Sequence, residues 1–250
     1  MPPEVYNKNF IKQTIFRIDY PLILKLAEES PASLQESISE IFPNVEVLEH
    51  LMKFNLNGGE DKDIGGVNKV WRFKSRDDSK ILEVSSEYLV IVEKNYTNFT
   101  DFSNLVNQVI EAFSENYSFQ YIKRIGLRYV NEISIEGAES TAEGLRPYLN
   151  ESLLSHLNFI EEEDLIRTQN IFELESNENR RTKVRYGLIN ENYPNLLQDS
   201  KFTIDIDCYN SSSIEEAGLS AETVALNALA TEYFEKSIHD GLRTVLRNND

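Results

Sequence analysis

The sequence is poor in the residues that make metal and redox sites. It has one cysteine, Cys208, so it can close no intramolecular disulfide and build no cysteine-based zinc site. Its three histidines, His50, His156 and His239, are far apart and form no HExxH or HxH pattern. The paired glycines Gly58-Gly59 and Gly65-Gly66 lack the Gly-Lys-Ser/Thr ending of a phosphate loop. No apolar run approaches the roughly 20 residues of a membrane span; PLILKLA at 21–27 comes nearest and is far too short. The start, MPPEVYNKNF, has neither the basic nor the apolar region of a signal peptide, so the chain reads as cytoplasmic. No repeat of 20–50 residues is present.

Positive charge is also scarce. The chain holds 25 basic against 42 acidic residues, a net charge of −17. Residues 1–135 carry 20 acids and 15 bases (−5), and residues 136–250 carry 22 and 10 (−12). Such a field repels nucleic acid and anionic membrane surfaces and is compatible with a protein partner or a cationic ligand. It also keeps the protein soluble.

Periodicity organises the rest. FIKQTIFRIDY, 10–20, alternates as a strand and stops at Pro21. SPASLQESISEIFP, 30–43, reads as a helix with Ser30 as N-cap and Leu34, Ile38, Ile41 and Phe42 as its buried stripe. Residues 45–57 look extended, and NGGEDKDIGG, 57–66, reads as a loop. Strands follow at 70–75 and 81–94, the second splitting at Ser85-Ser86. Phe102, Leu105, Val106, Val109, Ile110 and Phe113 mark the clearest helix, and YIKRIGLRYVNEISI the strand after it.

EGAESTAEG, 136–144, is small and polar and reads as a linker between an N-terminal half, 1–135, and a C-terminal half, 145–250. The second half is expected to hold a short helix over LRPYLNESLLSHL and an acidic turn at 161–164. A hairpin across NENRR, a strand at 201–210 and one long helix over 220–247, capped by Ser220, should follow. Gly241 should weaken that helix by roughly 1 kcal/mol. Hairpin-like runs of strands predict an α+β fold, with mainly antiparallel sheets, helices on one face and two apposed halves.

Three constellations invite chemistry. Asp205 and Asp207 are two apart on a strand and so share a face, opposite the apolar Phe202, Ile204, Ile206 and Cys208. Two aligned carboxylates can hold Mg²⁺ for phosphoryl transfer, but the Gly-Ser element that precedes such a pair in nucleotidyltransferases is missing. Arg124 and Arg128 also share a strand face, and guanidinium forks favour bidentate pairing with carboxylates. The expectation is a clasp in which these four charges meet. Arg181, Lys183 and Arg185 alternate onto one strand face, where they could bind phosphate or answer acids such as Glu161 to Asp164. Ser237, His239 and Asp240 lie too close along one helix to form a relay. Cys208 reads as core.

The strand ending in Tyr20-Pro21, the helix closing on Phe42-Pro43, Trp71-Arg72-Phe73 and the Tyr96 segment occur with Arg124-Ile-Gly-Leu-Arg128-Tyr129-Val-Asn131, Asp205-x-Asp207 and a long C-terminal helix. In these the chain resembles a sporadically distributed bacterial family of uncharacterised proteins of roughly 250 residues. The resemblance implies a bacterial cytosolic protein of patchy occurrence, as in defence-associated or mobile loci, and brings no catalytic residues with it.

The resulting expectation is a non-enzymatic binding or regulatory protein that contacts a protein partner through its acidic C-terminal half. It uses no cofactor and no membrane, is not expected to bind nucleic acid, and is compatible with a homo-oligomer. The rival is a metal-dependent phosphoryl-transfer or nucleotide-processing enzyme using Asp205 and Asp207.

Overall fold

The computed structural model describes residues 6–54, 62–139, 141–159, 165–176, 179–190, 192–197 and 201–248. The fold is α+β and contains a large antiparallel sheet of nine strands: β1 (Ile11–Asp19), β2 (Asn44–Phe54), β3 (Lys62–Lys74), β4 (Lys80–Val84), β5 (Tyr88–Glu93), β6 (Arg124–Ile133), β7 (Asn170–Glu175), β8 (Arg180–Leu188) and β9 (Phe202–Asn210). Their hydrogen-bonded order is β2-β3-β4-β5-β1-β6-β9-β8-β7. The helices are α1 (Leu24–Glu28), α2 (Ala32–Ile38), α3 (Phe99–Asn116), α4 (Ala142–Leu145), α5 (Glu151–Leu154), α6 (Leu219–Ser237) and α7 (Asp240–Arg247). Among the described residues no helix is long and apolar enough to cross a membrane.

The chain forms two compact units that do not follow its order. One holds residues 15–125 and 211–222; the other holds 1–14, 126–210 and 223–250. The segment 136–144 lies inside the second unit, and α4 begins within it, capped by the Thr141 side chain on the Gly144 N–H at 2.9 Å.

In the first unit, β2 to β5 form an antiparallel meander, with Val47 opposite Trp71 and Leu82 opposite Ile91. Helix α3 starts where the Asn98 side chain accepts from the Asp101 N–H. All six apolar residues of its expected stripe are buried, and with Phe16, Ile18, Phe73, Leu82 and Ile91 they make the core. Tyr20 anchors this core: its ring lies 5.4 Å from Phe113, and its hydroxyl reaches the Ser85 and Tyr88 carbonyls at 2.9 Å each.

Several local expectations are corrected here. Pro31, without a side-chain bond, takes the N-cap of α2 in place of Ser30. PLILKLA contributes a helix, α1. Gly65 and Gly66 lie within β3, because pairing with β2 extends that strand back to Lys62. Residues 57–61 of the expected loop lie outside the described residues.

In the second unit, β7, β8 and β9 are antiparallel, with Phe172 opposite Val184 and Val184 opposite Ile206. Helix α6 meets β6 where the Tyr129 hydroxyl donates to Asn227 Oδ1 at 2.7 Å. The Asn131 side chain donates to the Ile204 carbonyl at 3.0 Å and satisfies a buried amide.

The expected C-terminal helix is two helices. It starts at Leu219, so Ser220 is inside it, and it breaks at Ile238–His239. There the Asn150 N–H bonds the Ser237 carbonyl (2.9 Å) and the His239 N–H bonds the Tyr148 carbonyl (2.8 Å). Long-range bonds thus take over groups that a continuous helix would use internally. Gly241 fits this junction because a Cβ there would lie 2.4 Å from the Pro147 carbonyl oxygen. The helix expected over 145–157 is also broken, into α4, α5 and a 3₁₀ turn at Ser155–Phe159.

Candidate functional site

Strand alternation in β9 buries Ile204, Ile206 and Cys208 on one face and projects Asp205, Asp207 and Tyr209 from the other. The register with β8 sets Asp205 opposite Arg185, Asp207 opposite Lys183 and Tyr209 opposite Arg181. The register of β7 adds Ile171 opposite Arg185, Glu173 opposite Lys183 and Glu175 opposite Arg181. The basic stretch of β8 is therefore flanked by acids on both sides.

Asp205 is the buried member, its side chain 6% exposed. Arg128 donates to it through both prongs, Nε to Oδ1 at 2.6 Å and Nη2 to Oδ2 at 2.7 Å. Arg185 adds Nη1 to Oδ2 at 3.1 Å. These bonds to the Asp205 carboxylate, and then the charges of Asp205 and Asp207, hold the Arg128 guanidinium above its ordinary pKa. Both Asp205 oxygens thus accept from a guanidinium, Oδ1 from Arg128 and Oδ2 from Arg128 and Arg185. Among the described residues no group of three or more His, Cys, Asp and Glu is placed to hold a metal.

Of the four charges expected to meet, Arg128 and Asp205 are directly paired, and Asp207 acts on Arg128 through its charge. Arg124, the first residue of β6, is half-buried. Lys183 pairs with Glu173 at 2.8 Å, Arg181 lies 3.7 Å from Glu175, and the Tyr209 hydroxyl donates to Glu173. Residues 161–164, the other expected partners of this stretch, lie outside the described residues.

Sequence reasoning missed Glu173, Glu175 and the role of Arg185 beside Arg128. A signal for the two glutamates was present: a hairpin turning near Asn179 pairs 173 with 183 and 175 with 181.

Exposed apolar side chains are frequent in the stretch of sequence that carries β7 and β8. Among the described residues, seven of the thirteen exposed large apolar side chains fall within 159–196: Phe159, Ile166, Ile171, Leu174, Ile189, Tyr193 and Leu196. Segments 165–168 and 190–197 are tied together by Leu197 N–H to the Leu165 carbonyl (3.0 Å), by the Asn190 side chain to the Ile166 carbonyl (2.9 Å) and by Arg167 stacked over Tyr193 (4.2 Å).

The other candidates lie outside these charged rows. Cys208 is buried and its thiol is pushed up to about 12, chiefly by burial. His156 bonds Thr168 Oγ1 at 3.1 Å and sits edge-on to Tyr186. His239 precedes α7 without a side-chain cap bond.

Compared with known protein families the chain matches none, and no curated protein matches it.

Proposed function

We propose that this protein is a non-enzymatic binding partner of another protein, and that it docks through the β7–β8 end of its second unit. The concentration of exposed apolar side chains over residues 159–196 carries this reading, since large exposed apolar surface on a soluble domain marks interaction sites. The alternating charges of β7, β8 and β9 supply the polar rim that fixes register and partner choice.

The docking surface lies in the more acidic part of the sequence, but its centre is apolar and charge-balanced. We read the helices as covering one face of the sheet in two apposed halves, which leaves the charged face for a partner. The resemblance in RIGLRYVN supports a bacterial, cytoplasmic setting in a defence- or mobile-element-associated system. The enzyme reading is not preferred, because Asp205 is committed to two guanidinium groups.

The test is affinity capture from the host at moderate salt, comparing the wild-type protein with an Ile171→Lys, Leu174→Lys variant. A protein retained in stoichiometric amount by the wild type and lost by the folded variant is the expected result. A protein that emerges alone, and whose melting temperature rises with Mg²⁺ or Mn²⁺, would reject the reading in favour of metal chemistry.

A further inference from the structure

The charged rows of the second unit stop at an unfilled position. Strand β7 is last in the sheet order, so among the described residues one of its edges has no partner strand. The phase of the ladder shows which backbone groups face outward. Thr168 N–H bonds the Leu188 carbonyl and Ser176 N–H bonds the Arg180 carbonyl, both in register with the β7–β8 pairing. The even-numbered residues therefore exchange bonds with β8, and the N–H and C=O groups of Ile171, Glu173 and Glu175 point away from it. Among the described residues, none makes a backbone hydrogen bond to these groups.

Proteins blunt such edges with lysine, proline, bulges or covering loops, because an open edge recruits another strand. Strand β7 carries no lysine and no proline, and it exposes Ile171 (58%) and Leu174 (42%). Across the strands the charges run Asp207, Lys183, Glu173 in one row and Asp205, Arg185, Ile171 in the next. In the third row the partner of Arg181 toward the edge is Glu175. Two neighbouring rows thus end on an acid at the open edge, and the row beyond Glu173 ends on an isoleucine.

We infer that the outer edge of β7 accepts an extended segment of the partner protein as an additional strand, antiparallel to β7, with the pattern basic–x–basic–x–apolar. The two bases stand opposite Glu175 and Glu173 and continue the alternation of sign, and the apolar residue covers Ile171. The intervening positions face the side of Leu174 and Phe172 and are apolar too. Main-chain bonds at Ile171, Glu173 and Glu175 supply affinity, and the side-chain pattern supplies selectivity. A second copy of this chain is a poor occupant, because its β7 offers acids and no base. This inference rests on the partner reading above and names the chemistry of the partner.

The test uses the full chain and a fluorescein-labelled peptide, SKVKVISG, read by fluorescence anisotropy against SEVEVISG and against SKVKVISG N-methylated on alternate residues. The expected result is binding at least about tenfold tighter for the basic peptide than for either control. The Ile171, Glu173 and Glu175 amides should gain hydrogen-exchange protection on binding. Glu173→Lys with Glu175→Lys should invert the preference between the two charged peptides. The N-methyl comparison needs only the wild-type protein and stands even if that variant does not fold.

Equal affinity for the three peptides, no binding at about 1 mM peptide, or unchanged amide exchange would overturn the inference. So would a dimer of the free protein that Ile171→Lys dissociates. A captured protein partner insensitive to Ile171→Lys would reject strand addition and leave the partner reading standing. The absence of any stoichiometric partner would reject that reading itself.

Discussion

Arg128 grips both carboxylate oxygens of Asp205, at 2.6 and 2.7 Å, across 77 residues of sequence. The pair sits on a half-buried sheet face, where a carboxylate is costly unless its lone pairs are filled. Arg185 adds a third hydrogen bond, a second one at Oδ2, from the neighbouring strand. The two residues behave as a clasp that fixes β9 against β6.

Removing Asp205 leaves two guanidinium groups side by side. Asp205→Ala should destabilise the protein by about 2–3 kcal/mol, toward the low end for a buried pair because both arginines keep partial access to water. Urea denaturation should show a lower midpoint with an unchanged slope. Arg185→Ala should cost less, since Arg128 still holds both oxygens.

Gly241→Ala sets two effects of opposite sign against each other. Helix propensity favours alanine by about 1 kcal/mol. The added Cβ would lie 2.4 Å from the Pro147 carbonyl, and overpacking of this kind costs about 1–3 kcal/mol. The contact involves backbone that cannot swing aside, so the variant should melt at a lower temperature than the wild type.

Burial depresses the pKa of His156 below its ordinary 6.5. The unfolded chain then binds a proton more readily than the folded one, so this residue makes stability fall as pH drops from about 6.5 toward the folded value. Above 6.5 both states are neutral and the contribution is flat. Comparing urea midpoints at pH 7.5 and pH 5 should show a smaller acid loss for His156→Gln than for the wild type.

The Cys208 thiol, pushed up to about 12 and buried beside Thr182 Oγ1 at 3.6 Å, should be unreactive in the native state. Iodoacetamide at pH 8 should leave the folded protein unmodified and alkylate it fully in urea, as read by intact mass. Rapid native labelling would show that β9 opens readily.

The elements that the sequence determined by itself are those whose cause is local. The three-and-four spacing from Phe102 to Phe113 specified α3, and its six apolar residues are all buried. Alternation in FTIDIDCYN determined that Asp205 and Asp207 leave the same face, and the split at Ser85-Ser86 separated β4 from β5.

The rest depended on which strands become neighbours. Arg185 joined Arg128 on Asp205 because β9 lies between β6 and β8 in the sheet, an order that no local pattern contains. Pairing with β2 drew Gly65 and Gly66 into a strand against their turn preference. The C-terminal helix broke at Ile238–His239 because backbone groups of residues 148–150 bond there, some ninety residues earlier in the chain. The open edge of β7 belongs to the same class, since an edge exists only once the strand order is set.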